Sequence, residues 1–308
     1  MRRFLAAALA LTLSGSSCAS GAPPAVDGAR ALRRVEAQVA FGPRIPGTQG
    51  HARMRAWLVA ELRRLGATVE EQVFRDSTLG RPIELVNVIA RYPAAGSQAA
   101  RRVLLCAHWD SRPLSDRDPD TLARSEPCPG ANDGGSGVAV LLEVAECLAR
   151  RRAPVAVDLV FFDGEDMGRA SAPQEFSLGS RGYARRLPPL GDPQRPAVAF
   201  LFDMVGDRDL QIRVEGNSAQ LAANLVGLVL DAARATGSKS FRDEIGYTLT
   251  DDHIPLLEAG MPAVDVIDFD YEAWHTRADL PDRVSAASLA EVARVAAWLV
   301  YRSPLTRP

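Results

Sequence analysis

The sequence predicts an α/β protein: a mixed, mostly parallel sheet flanked by helices. Three observations point there. Short apolar runs rich in β-branched residues alternate with longer stretches of helical periodicity. Several of those runs are apolar throughout, as in central strands covered on both faces. Three of them end in a histidine or carboxylate, where open α/β sheets build their sites. The chain has 308 residues, 47% hydrophobic and 24% charged, which is ample for one large core.

Arg2 and Arg3, the apolar stretch Phe4 to Leu13 and the small residues Ser14 to Ser20 read as an export signal over 1–20. The stretch is too short to span a bilayer. Two routes stay open: cleavage near Ser20, or lipidation of Cys18, although Gly15 stands three residues before it where Leu is usual. The expected location is outside the cytoplasm: periplasmic, lipid-anchored or secreted. Residues 21–28, rich in Gly, Ala and Pro, form a tether, and one domain follows over 29–308. Strands are expected at Val86 to Tyr92, Val103 to Ala107, Val155 to Phe162, Val198 to Phe202, Gln211 to Val214 and Ala263 to Ile267. Helices are expected at 28–40, 49–65, 136–150, 176–186, 218–236, 252–259 and 285–302. In the second helix Met54, Trp57, Leu58, Leu62 and Leu65 make an apolar stripe, and Gly66 is its natural stop.

Lys and Arg number 36 against 38 Asp and Glu, for a net charge of −2, with no basic run. A nucleic-acid partner is excluded on that ground. Membrane contact is expected only through a lipid on Cys18, and a monomer is expected. Cys106, Cys128 and Cys147 lack zinc-thiolate spacing. One disulfide plus one free thiol suits an exported chain, and simple burial of Cys106 and Cys147 suits it equally.

Five separated segments carry metal-type ligands: His108 in CAHWDS, Asp133 in GANDGGSG, Glu165-Asp166 in VFFDGEDMG, Asp203 in AFLFDMVG and His275 in EAWHTRAD. Imidazoles and carboxylates are zinc ligands, and a spare Glu can move a proton. Asp110, two residues after His108, is placed to fix its ring. Asp133 also suits an ordinary helix N-terminus, but the glycines after it let the backbone approach a metal. Adjacent side chains at a strand end point apart. One of Glu165 and Asp166 can therefore bind metal while the other meets substrate. Asp163 reads as structural, and Asp252 as an acid in the first turn of a helix.

Together these segments resemble the zinc-dependent family of M28 aminopeptidases and animal-type glutaminyl cyclases. The resemblance runs from Pro43-Arg44-Ile45-Pro46-Gly47-Thr48 to the last helix, and it implies a single-domain zinc-exopeptidase-like fold. Phe161 to Asp166, Leu178-Gly179-Ser180-Arg181, Asp251 to Pro255 and Trp274-His275-Thr276 are more similar to the cyclases. Carried over by position, Asp133, Asp166 and His275 would hold one zinc, and Glu165 would be the general acid/base. Asp203 and Asp251 would form a supporting network, sharing a proton, and Trp274 would wall the substrate pocket. The resemblance also implies a cis peptide after Asp133. The chain departs from animal cyclases at Asp166, where they carry Glu, and at Asp265, where they carry His. Near Ser171 it lacks a tryptophan that they have. These departures bear on pocket shape and substrate range.

The expected activity is cyclisation of N-terminal Gln to pyroglutamate, with peptide or protein N-termini as substrates and one zinc. The alternative is an exported di-zinc aminopeptidase, with His108 and Asp203 binding a second zinc and Asp133 bridging. For the one-zinc enzyme, His108 and Asp203 are expected to be turned away from metal. A catalytically inactive binding ectodomain would have lost ligands, and none is lost.

Overall fold

Five of the apolar runs become strands of a six-stranded sheet, and the sixth joins a separate two-stranded sheet, in a computed structural model that describes residues 21–96 and 101–306. The export signal, Cys18 included, lies outside the described residues. In chain order the strands are β1 (Thr68–Asp76), β2 (Ile83–Tyr92), β3 (Arg102–His108), β4 (Ala156–Phe162), β5 (Val198–Asp203), β6 (Ile212–Val214), β7 (Phe241–Ile245) and β8 (Ala263–Ile267). The helices are α1 (Gly28–Ala40), α2 (Gln49–Arg64), α3 (Gly135–Arg150), α4 (Leu178–Ala184), α5 (Gly216–Leu221), α6 (Ala223–Thr236), α7 (His253–Glu258) and α8 (Ala286–Tyr301).

The sheet order is β1-β2-β4-β3-β5-β8. Strands β4, β3, β5 and β8 run parallel, and β2 joins β4 antiparallel with β1 antiparallel beyond it. Because side chains alternate between faces, Val103, Leu105 and Ala107 join the larger core, with residues of α1, α2, α3, α6 and α8. Leu104 and Cys106 join the smaller one, with Tyr183 of α4 and Leu256 of α7. All seven residues of β4 are buried, as its uninterrupted apolar run requires. The ends are capped locally: Asp27 accepts from Arg30 N–H at α1 and Thr48 from His51 N–H at α2. Gly66 stops α2 at φ +82°.

Several expectations need correction. β1 was not expected, since its sequence TVEEQVFRD is largely polar; it is the sheet's edge strand, with mainly one face inward. β7 is charged and exposed, and it pairs only with β6 in a separate two-stranded sheet. The expected helix 218–236 is two helices broken at Ala222. Glu215 caps α5 and also accepts from Leu249 N–H, tying the short helix to that loop. Cys106, Cys128 and Cys147 are free and buried, so no disulfide joins them. Among the described residues no helix is long and apolar enough to cross a membrane.

Candidate metal centre and pocket

The parallel strands deliver the functional groups to one edge. His108 ends β3, Glu165 and Asp166 follow β4, and Asp203 ends β5. Asp133 precedes α3, and His275 lies in the loop after β8. They form two ligand groups that share Asp133. In each, the ligand atoms lie within 4.8 Å of one another. In the Asp166 group, His275 Nε2 is 3.3 Å from Asp166 Oδ1 and 3.7 Å from Asp133 Oδ2. In the His108 group, His108 Nε2 is 3.1 Å from Asp133 Oδ1 and 3.2 Å from Asp203 Oδ1. His108 and Asp203 are therefore not turned away, contrary to expectation; their strands end side by side.

The donor set fits zinc, which takes imidazole nitrogen and carboxylate oxygen. Asp166 Oδ2 is buried without a hydrogen-bond partner, a costly state unless a cation meets it. The electrostatics agree. Burial opposes charge on His275, yet Asp166 and Asp116 outweigh it and raise the ring to about 9.

The backbone around the centre is tightly specified. Among the described residues three non-glycines have positive φ: Ser177, Met204 and His275, at 55°, 47° and 57°. All border the centre, where such costly conformations concentrate. His275 is itself a ligand, Met204 follows Asp203, and Ser177 N–H donates to the Glu165 carbonyl at 2.9 Å. The Asp133–Gly134 peptide is trans, not cis as the resemblance implied, and Gly134 has a φ of +75°. Gly134, not Asp133, precedes the first residue of α3, so Asp133 is free of a capping role.

Asp110 accepts from the N–H groups of Glu165 at 3.1 Å and Asp166 at 3.2 Å. Its Oδ1 also faces His108 Nδ1 at 3.4 Å. Asp163 is structural: it takes Val86 N–H at 2.7 Å and pairs with His51 at 3.0 Å. Burial, and then the charge of Asp251, push the Glu165 carboxyl well above the usual carboxylate range. Burial, and then the charge of Asp203, raise Asp251 to about 7.

The expected Asp203–Asp251 proton pair is not the arrangement found. Asp203 Oδ1 faces His108 and accepts Met204 N–H at 2.8 Å. Asp251 instead groups with His253 and Asp265, within 4.8 Å. Asp252 also departs from expectation. It is fully buried, makes no capping bond, and burial pushes its carboxyl up.

A cavity of about 270 Å³ opens beside these groups, lined by Glu165, Asp203 and Asp251 and walled by Phe176, Phe269 and Trp274. The Trp274 ring lies 3.9 Å from that of His275 and 4.7 Å from that of Phe269, centroid to centroid. Phe176 supplies an aromatic wall in the stretch where the cyclase tryptophan is missing. Ser171 itself is exposed.

Four supporting residues went unassigned in the sequence. Asp279 accepts from Asn132 N–H at 2.8 Å, Asp133 N–H at 3.1 Å and Tyr271 O–H at 2.7 Å, so it fixes the Asp133 loop. Buried Arg44 donates to the carbonyls of Trp109, Pro129 and Gly130, at 3.0, 2.9 and 2.7 Å. It ties the Pro43–Thr48 segment to both ligand loops. Its only sequence signal was membership in that segment. Arg112 and Asp116 sit directly behind Asp166 and His275.

The peptidase family M28 model matches residues 87–300, which spans every ligand. The chain belongs to peptidase family M28. A glutaminyl-peptide cyclotransferase-like protein of Bos taurus is 28% identical over 279 residues, covering 82% of this chain and 70% of that protein. The crystal structure of Porphyromonas gingivalis glutaminyl cyclase superposes with a TM-score of 0.82 at 35% identity, over 88% of this chain and 96% of that one. A Zn-dependent exopeptidase from Parabacteroides distasonis gives 0.84 at 34% identity, over 91% and 100%. This M28 member is thus an enzyme of the glutaminyl cyclase or aminopeptidase type, with zinc as its metal.

Proposed function

We propose that the chain is a zinc-dependent glutaminyl-peptide cyclotransferase, which converts N-terminal Gln to pyroglutamate and releases ammonia. The single observation that favours this most is the buried Glu165 carboxyl in an aromatic-walled cavity beside the Asp166 group. Bound zinc would supply Lewis acidity to the γ-carbonyl oxygen, held by Asp133, Asp166 and His275. Glu165 takes a proton from the α-amine as its nitrogen bonds to the γ-carbon. It returns that proton to the amide nitrogen as the C–N bond breaks and ammonia leaves. A carboxyl raised toward neutrality suits both transfers. Asp203 and Asp251 line the same cavity and steady the amine. Trp274 and Phe176 exclude water, which would otherwise hydrolyse the amide.

A second reading has one observation behind it. His108, Asp133 and Asp203 converge, as a di-zinc aminopeptidase would require, with Glu165 then acting on water. The cyclase is preferred because the aromatic-walled cavity opens beside the Asp166 group and Glu165. Asp166 Oδ2 is a fully buried carboxylate oxygen without a hydrogen-bond partner. Export through residues 1–20 would place the enzyme among extracytoplasmic peptides.

Glu165→Gln tests the proton role. The variant should keep its zinc and fold but lose about 100-fold or more in turnover on Gln-peptides. Near-normal turnover would remove Glu165 from the mechanism.

A further inference from the structure

Arg112 is fully buried, two residues beyond Asp110, and its guanidinium serves two ligands of one metal group. Nε and Nη2 form a fork on Asp116, at 2.7 Å to Oδ1 and 2.8 Å to Oδ2. Nη1 donates to Asp166 Oδ1 at 2.8 Å and to the Asp166 carbonyl at 3.3 Å. Asp116 Oδ1 in turn faces His275 Nδ1 at 3.5 Å, on the side of the ring away from the ligand nitrogen. The same guanidinium lies 5.4 Å from the centre of the Phe176 ring, a wall of the substrate cavity.

We propose that Arg112 is the positioning residue of the Asp166 group, holding the carboxylate ligand directly and the imidazole ligand through Asp116. This rests on the reading that Asp133, Asp166 and His275 bind zinc. With Oδ1 occupied by Nη1, Asp166 presents its unpartnered Oδ2 as the oxygen for the metal. With Nδ1 facing Asp116, His275 presents Nε2. Partners of this kind set ligand orientation and ring tautomer. The planar fork matters more than the charge, because one ammonium cannot hold Asp116 at two points and still reach Asp166. The His108 group is backed differently: Asp110 Oδ1 faces His108 Nδ1 at 3.4 Å, and Asp203 Oδ1 meets His108 Nε2 and the Met204 N–H, with no guanidinium among these contacts. Arg112 therefore distinguishes the two groups, and it couples the Asp166 group to the Phe176 wall.

The test is zinc affinity of the apo-protein, by competition with a chromophoric chelator, with the visible spectrum of the cobalt-substituted protein as a second readout. Arg112→Lys, although it keeps the charge, should bind zinc about 10–100-fold more weakly and shift the cobalt bands. Asp116→Asn should weaken zinc in the same direction, and it serves if Arg112→Lys does not fold. Unchanged affinity and an unchanged cobalt spectrum in the folded variant would overturn the assignment, as would tighter binding. His275→Ala is the separate control. If it leaves zinc affinity intact, the ligand reading itself fails, whatever Arg112 does.

Discussion

The two ligand groups share Asp133 and differ in what surrounds them. In the His108 group one imidazole nitrogen lies 3.1 and 3.2 Å from two carboxylates, and Asp110 faces the other ring nitrogen. In the Asp166 group a carboxylate oxygen remains unpartnered, a guanidinium stands behind it, and the substrate cavity lies in front. One edge of a parallel sheet can thus present two ligand groups that share an aspartate yet stand in different surroundings. The lesson is that filled ligand positions do not fix metal count. Hydrogen bonding behind the ligands decides which atoms remain for the metal.

The largest effect should come from Asp133→Ala, which removes the shared ligand. It should abolish tight zinc binding and turnover together, measured by metal analysis and ammonia release. Retained stoichiometric zinc would mean that Asp133 serves neither group. His108→Ala separates the groups: on the proposed one-zinc reading, the variant and the wild type should each hold one zinc per chain. Two zincs in the wild type, with one lost on this change, would favour the aminopeptidase.

Gly134→Ala presses first on the His108 side. An added Cβ would sit 2.8 Å from His108 Cε1, at a φ of +75° that alanine resists. The variant should lose about 1 kcal/mol or more of stability, read by denaturant unfolding. Its zinc should stay in the Asp166 group. Loss of zinc instead would show that the two groups act as one.

The smallest effect concerns buried Glu215 and acid. Burial favours protonated Glu215, but His253 and the N–H groups of Leu249 and Asn217 outweigh burial and hold it at about 2, below its ordinary 4.5. A depressed carboxyl contributes stability above its unfolded value, and that stability is lost as pH falls toward the folded value. Unfolding free energy should therefore decline between about pH 4.5 and 2, and Glu215→Gln should flatten that decline. An identical acid profile in the variant would sink the assignment.

How much of this was legible in the sequence depends on the kind of residue. β3, β4, β5 and β8 are apolar runs, and each lies within a residue or two of where the pattern puts it. α1 has its expected bounds, because Asp27 caps it and its apolar face repeats at helical spacing. β1 and β7 escaped because edge strands show polar residues to water, which hides their alternation. His108, Asp166 and Asp203 were legible at strand ends and Asp133 beside its glycines, whereas His275 was legible from its place in the Trp274-His275-Thr276 motif. Arg112, Asp116 and Asp279 were not, since a buried polar side chain takes its meaning from partners that only folding brings near. The cis peptide was inferred from resemblance alone, and Gly134 makes the turn without it.

The most direct test of the central claim is to incubate the purified enzyme with Gln-Xaa and Leu-Xaa peptides and follow products by mass. A cyclase releases ammonia from Gln-Xaa, leaves its peptide bond intact and leaves Leu-Xaa unchanged, which is the result this structure leads us to expect. Release of free leucine or free glutamine, with no pyroglutamyl product, would contradict it.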